Sequence, residues 1–335
     1  MKNCIASLIL FYFFCFNSFA QTTKCNDELL LSIKGTWSKI PQQPMLKPVT
    51  KAEFDKTTKK MGDFHQLLLM AYPEGIGCEP RVVMINPGPS FYVPSMYSYY
   101  YYTAILPYTC IKNKPVKIDQ TNTTFRVIVN NFEDFWTSTQ FFIAGQEIFY
   151  RQRNAGKWNG YNAYYSDEHP LVILTRKDKL PYKPVTRKEY LAYMIHYVDS
   201  SYTNRADLYK KHNDPSMKEQ AKAITNQKNN ILKVFREETE KSSNQNLLDS
   251  PAVVNEIGSI NFSEATRIFI TEEEGGKVLL MINPSYFRKD LPRYVPQFMI
   301  VRIQGGEDGT ISERYFAKNI KEKFPFEKLQ AMIDK

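Results

Sequence analysis

Lys183-Pro184-Val185-Thr186-Arg187-Lys188-Glu189-Tyr190 reads as a helix start with every part present. The Thr186 hydroxyl can accept a hydrogen bond from the Glu189 amide. The Glu189 carboxylate can reach back to the Thr186 amide, which completes a capping box. Val185 before the cap and Tyr190 after Glu189 stand where a hydrophobic staple needs them. The device occurs once earlier, in Lys47-Pro48-Val49-Thr50-Lys51-Ala52-Glu53-Phe54, with Val49 and Phe54 in the staple positions. Two such starts predict helices over about 51–72 and 187–198. The first carries Phe54, Met61, Phe64 and Leu68 at helical spacing, and Pro73 and Gly75 end it.

Other apolar runs have the length and composition of strands. These are Arg81 to Ile85, Thr124 to Val129, Gln140 to Ile143, Glu147 to Gln152, Tyr161 to Tyr165, Leu171 to Thr175, Thr266 to Thr271, Val278 to Ile282 and Gln297 to Ile303. Ala144-Gly145-Gln146 and Asn154-Ala155-Gly156 read as hairpin turns. Pro215 to Lys241 is polar and helix-favouring, with a narrow apolar stripe, and a short final helix is expected over about Pro325 to Ile333. The expected fold is α+β: an antiparallel sheet packed by the two capped helices, with the polar helical segment as an outer appendage.

A second signal repeats. Val82-Val83-Met84-Ile85-Asn86-Pro87 matches Leu279-Leu280-Met281-Ile282-Asn283-Pro284, and each is followed by Ser and an aromatic pair, Phe91-Tyr92 or Tyr286-Phe287. Gly35-Thr36-Trp37 has a looser echo in Gly156-Lys157-Trp158. The order is the same in both copies, which predicts an internal duplication. Residues 1–20 would be a signal peptide and 21–115 the first half. Residues 116–335 would be the second half, with a β-rich middle and a helical insertion at about 201–250.

Lys2, the apolar run Ile5 to Phe16, and Ser18 and Ala20 before Gln21 have the layout of a secretory signal peptide. The run is shorter than the ~20 residues a membrane span needs. Localisation is expected to be periplasmic or extracellular, with no transmembrane segment in the mature chain. Cys25, Cys78 and Cys110 then remain in an oxidising compartment, and a Cys78–Cys110 disulfide is expected with Cys25 left over. The net charge of +9 is spread along the chain. Scattered basic residues read first as a solvated surface and second as attraction to anionic envelope polymers or lipids. No nucleic-acid signature is present, so nucleic acid is not an expected partner.

Leu180 to Leu191, with the upstream Gly-x-Trp and the ending from Arg293-Tyr294-Val295-Pro296-Gln297-Phe298 to Phe326-Glu327-Lys328-Leu329, resembles a group of exported, uncharacterised proteins of the Bacteroidota. The resemblance covers most of the mature chain. It implies a Gram-negative envelope or extracellular setting and no activity.

Catalytic motifs are absent: no His-Glu-x-x-His, no Gly-x-Ser-x-Gly and no phosphate-binding glycine loop. Asp167-Glu168-His169 is the densest polar cluster and reads as a turn. Glu133-Asp134 beside Trp136 reads as a charged loop edge, or as an acid/base pair near a sugar-stacking ring. His65 and His196 fall within predicted helices. Asn86 and Asn283, each before Pro, can end a strand as Asx-turns. No cofactor and no metal site is expected. The leading expectation is a non-catalytic binding or interaction protein of the cell envelope. Its binding residues would be the exposed rings of Tyr99, Tyr101, Trp136, Trp158 and Tyr161, and its partner envelope polysaccharide or another envelope protein. The rival is an exported hydrolase built on dispersed Glu133, Asp134 and His169. A third reading is a structural partner that docks through the polar helix.

Overall fold

Thr50 and Thr186 start helices as their sequences require. The Glu189 amide donates to Thr186 Oγ1 over 3.1 Å and the Thr186 amide to Glu189 Oε2 over 2.8 Å. The corresponding distances at Thr50 and Glu53 are 3.3 and 2.9 Å. A third capping box, Thr310 with Glu313, lies outside the sequence expectations and starts a helix near the C-terminus. The computed structural model describes residues 24–40, 48–166, 169–255 and 267–335. The expected signal peptide and Asp167-Glu168 lie outside the described residues.

The helices are α1 (Asp27–Ser32), α2 (Lys51–Ala71), α3 (Arg187–Lys210), α4 (Pro215–Asn244), α5 (Ile311–Lys323) and α6 (Phe326–Gln330). The strands are β1 (Lys34–Gly35), β2 (Ser38–Lys39), β3 (Gly75–Ile76), β4 (Cys78–Pro89), β5 (Tyr97–Ile111), β6 (Lys114–Lys117), β7 (Thr124–Val129) and β8 (Trp136–Ile143), followed by β9 (Gln146–Arg151), β10 (Asn154–Trp158), β11 (Tyr161–Ser166), β12 (His169–Leu174), β13 (Tyr182–Pro184), β14 (Val253–Val254), β15 (Lys277–Ile282) and β16 (Met299–Gln304). The expected strand from Thr266 to Thr271 is not formed by its described residues, where Phe269 makes only an isolated bridge to Val254.

Among the described residues, nine strands form one sheet in the order β10-β11-β12-β16-β7-β5-β4-β2, with β6 on β5. Five form a second, in the order β13-β15-β9-β8, with β14 on β15. Every pairing in them is antiparallel except β2 with β4. A strand sends alternate side chains to opposite faces. On β16, Met299, Val301 and Ile303 enter the core under α2, α5 and α6, while Ile300 enters a core between the two sheets. On β15, Val278 and Leu280 face that inter-sheet core, and Leu279 and Met281 face α3 and α4. The result is four layers, helix, sheet, sheet, helix, around three apolar cores. The α+β class holds, but the two capped helices cover two different sheets.

The polar segment is less of an appendage than expected. α3 runs on to Lys210, and α4 folds back along it, tied by Lys228 to Asp199 at 2.9 Å. Ile231, Leu232 and Phe235 of α4 are buried against the five-stranded sheet.

The repeated Asn-Pro pairs behave differently. β4 continues through Asn86-Pro87 to Pro89, with its register slipping between Ile85 and Gly88. Proline cannot donate to a sheet ladder, so the strand accommodates it as a bulge. Asn86 therefore does not end the strand, contrary to expectation. Asn283 does end β15: its carbonyl accepts from the Tyr286 amide and its Oδ1 from Ser285 Oγ at 2.7 Å. The two copies end differently and lie in different sheets, so the duplication rests on the sequence match alone.

The disulfide expectation is corrected. Cys25 bonds to Cys110, with Cα atoms 5.7 Å apart, and Cys78 is a free, buried thiol. Register explains this. Cys78 lies opposite Pro107, so Cys110 is three residues further along β5, roughly 10 Å at ~3.4 Å per residue. That exceeds the ~7 Å reach of a disulfide. Cys78 instead meets Tyr72 Oη at 3.3 Å, and burial pushes its thiol up to about 12.

Thr186→Ala and Thr50→Ala should each cost about 1 kcal/mol of unfolding free energy in urea. Hydrogen bonds from Thr50 hold the Glu53 carboxyl below the usual range. Burial alone would raise Glu189, but hydrogen bonds from Thr186 outweigh it and hold this carboxyl low as well. A depressed folded pKa stabilises above the usual value of ~4.3, and that stabilisation is lost as pH falls through the folded value. The Thr→Ala penalty should therefore shrink in acid, and a penalty independent of pH would refute the reciprocal cap. Non-reducing peptide mapping should find a Cys25–Cys110 peptide and a Cys78 that alkylates only after denaturation. Loss of the bond through Cys25→Ser should cost about 2–4 kcal/mol.

Candidate functional site

The expected binding rings are not at the surface. Tyr99 and Tyr101 are fully buried beneath α2, because both faces of β5 are covered. Trp158 is only 8% exposed and donates its Nε1–H to the Lys321 carbonyl at 3.2 Å, with Phe326 edge-on at 4.9 Å. Tyr161 is half-buried on the same core and bonded to Gln330. Trp136 is buried between the sheets, stacked on Phe149 at 4.0 Å. The expectation of an exposed aromatic platform is corrected, since helices α5 and α6, the former unforeseen, cover the side on which Trp158 and Tyr161 lie.

The residues of the hydrolase reading are dispersed among separate structural tasks. Glu133 accepts from Tyr100 Oη at 2.6 Å. Asp134 sits 2.8 Å from Arg302 and 3.8 Å from Arg126, two arginines directly opposite each other on β16 and β7. His65 offers no base to them: its Nδ1 pairs with Tyr101 Oη at 2.8 Å, and burial lowers its pKa. His169 lines a different cavity of about 770 Å³ beside Glu307, Glu313 and Lys321. There Glu313 is occupied by the Thr310 cap and by Thr121, and Glu307 by Lys321. No group of three or more His, Cys, Asp or Glu that could hold a metal occurs among the described residues.

A second cavity, of about 510 Å³, opens at one end of the inter-sheet core. Three connections form its mouth: residues 90–96 between β4 and β5, the Ala144-Gly145 turn between β8 and β9, and residues 283–298 between β15 and β16. Both residues of that turn have positive φ, 50° and 77°, as a tight two-residue hairpin requires. Val93, Met96, Phe149 and Ile282 line the cavity from the apolar core. Phe91, Tyr92 and Phe287 supply aromatic walls, and Phe91 is 79% exposed. The aromatic pairs that follow the two Met-Ile-Asn-Pro strands thus converge on one cleft, with Tyr286 buried just behind Phe287.

Two buried amides hold this mouth in place. Asn130, in the left-handed region at φ 53°, donates to the Tyr97 and Val295 carbonyls at 3.2 and 3.0 Å. Its Oδ1 accepts from the Gln297 amide at 2.8 Å. Gln297 Oε1 accepts from the Arg288 amide and from Arg176, and its Nε2 donates to the Arg288 carbonyl at 2.8 Å. Ser90 Oγ donates to the Asn130 carbonyl at 2.8 Å, which fixes the first connection to the same hub. Sequence reasoning misses Asn130, Gln297, Ser90 and Arg293. Each makes a contact with a residue far along the chain, and only the Asn130-Asn131 pair after an apolar strand hints at a special turn.

Comparison with protein-family models, with curated proteins and with solved structures finds no match to this chain. No helix among the described residues is long and apolar enough to cross a membrane.

The arginine pair around Asp134 should behave as a structural ion cluster. Arg302 is 3% exposed, and removing Asp134 takes away a carboxylate held 2.8 Å from its charge between the sheets. Asp134→Ala should lower unfolding free energy by about 3 kcal/mol. A loss of only a few tenths would mean that solvent screens the pair.

Proposed function

We propose that the protein is an exported, non-catalytic binding protein of the bacterial cell envelope, with its ligand site in the cleft between the two sheets. The observation that carries this reading is the composition of the cleft. Its walls are aromatic and aliphatic, its volume lies in the range of small-molecule sites, and Glu147 is the one carboxylate among its described lining residues. Among the described residues, no His lines it and no pair of acid and base groups converges there. Export is supported by the layout of the N-terminal sequence and by the Cys25–Cys110 disulfide, which suits an oxidising compartment. The buried positions of Trp158, Tyr99 and Tyr101 weigh against polysaccharide stacked on those rings.

The reading predicts saturable binding of a neutral apolar fluorophore such as N-phenylnaphthylamine. Phe287→Ala and Phe91→Ala should each weaken it about threefold to tenfold, the worth of one well-placed aromatic contact. Glu133→Gln and His169→Ala should leave it unchanged. Absence of saturable binding to the folded protein would overturn the proposal.

A further inference from the structure

The cleft has a polarity. Its inner wall is continuous with the inter-sheet core, where Phe149 stacks on Trp136 and Tyr92 stands edge-on to both, 5.3 and 5.2 Å away. Its rim is cationic. Arg288, Lys289 and Arg293 all belong to the connection between β15 and β16, and Glu147 is the single opposing carboxylate among the described lining residues. Arg288 is neutralised by Asp290 at 2.5 Å. Lys289 is exposed and has no ion-pair partner among the described residues. Arg293 donates to the Pro94 carbonyl at 2.8 Å and lies over the Tyr97 ring at 4.3 Å. Its Nε has no hydrogen-bond partner, and Glu53, whose carboxyl feels its charge, stands beyond ion-pair distance. Among the described residues, two cations therefore lack a carboxylate at the edge of an apolar cavity.

Resting on the assignment of the cleft as the ligand site, we infer that the ligand is a single-chain amphiphile with an anionic head, a fatty carboxylate in its simplest form. The chain enters between Phe91, Tyr92 and Phe287 and continues the inter-sheet core, where each buried methylene contributes about 0.8 kcal/mol. The head stays at the water boundary, where Lys289 supplies a point charge and Arg293 a directional donor. Burial of the head is unnecessary, so its desolvation does not oppose binding. A neutral chain gains only the apolar term, and a cationic head meets like charge.

Calorimetric titration of the full-length mature protein with decanoate, decanol and decyltrimethylammonium, all below micelle formation, tests the inference. Decanoate should bind about tenfold more tightly than decanol, and the ammonium more weakly than either. Lys289→Glu, at an exposed position, should weaken decanoate about threefold to tenfold while leaving decanol unchanged. Arg293→Lys, which keeps the charge and loses the planar fork, should weaken decanoate by a smaller factor. Added salt should narrow the gap between acid and alcohol. Equal affinity for acid and alcohol, or tighter binding of the ammonium, would overturn the anionic head and leave the cleft assignment standing. Failure of all three to bind would overturn the cleft assignment and this inference together.

Discussion

A strand with two apolar faces cannot have a wet side, and β16 is such a strand. Met299 to Ile303 are all buried, with Met299, Val301 and Ile303 in one core and Ile300 in another. β7 beside it has the same character at Val127, Ile128 and Val129. Leaving either face in water would forfeit about 1.5–3 kcal/mol for each large side chain exposed. The nine-stranded sheet must therefore be covered twice. Helices α2, α5 and α6 cover one face. The other face receives a second sheet, which, having its own outward apolar row on β15 and β9, must in turn be covered by α3 and α4. The four layers follow from this single demand.

The same demand sets the polar exceptions. Arg126 and Arg302 interrupt the inward-facing rows of β7 and β16 at opposed positions. Two guanidiniums between sheets are tolerable only with a carboxylate at hand, and the loop after β7 delivers Asp134 in a positive-φ conformation to supply it. Glu133-Asp134, which a sequence reader weighs as an acid/base pair, is thus largely occupied by the sandwich itself. Asn130 lies in the same loop, and its amide ties the connections of both sheets together. One short loop neutralises the interior and shapes the cleft.

Legibility in the sequence follows the range of the interaction. Capping boxes act over three residues, so Thr50 and Thr186 can be read directly, and Thr310-Ile311-Ser312-Glu313 carries the same signal without the preceding Pro-Val that makes the others conspicuous. Strand β7 is legible to the residue because its pattern is continuous. What fails is everything set by register or by layers. The expected Cys78–Cys110 pairing fails because the β4–β5 register places Cys78 opposite Pro107, three residues short of Cys110. The tyrosines of β5 look half exposed because alternation alone does not say whether a sheet is covered once or twice. Trp158 looks like a surface ring because nothing near it in sequence shows that α5 and α6 return to cover it. The cleft is partly written in the repeated strand endings, whose aromatic pairs stand out without any indication that they meet.

That meeting has a physical logic. Each aromatic pair follows a strand that ends or bends at an Asn-Pro, where the backbone loses a ladder donor and must turn away from its sheet. The two strands belong to facing sheets, β4 to one and β15 to the other. Aromatic side chains released at the margins of two stacked sheets, about 10 Å apart, have the gap between the sheets as the nearest apolar surface. The buried amides of Asn130 and Gln297 tie the connections from which these rings project and so fix the shape of the mouth. The mouth of the cleft is thus set by fully satisfied buried polar groups as well as by apolar packing.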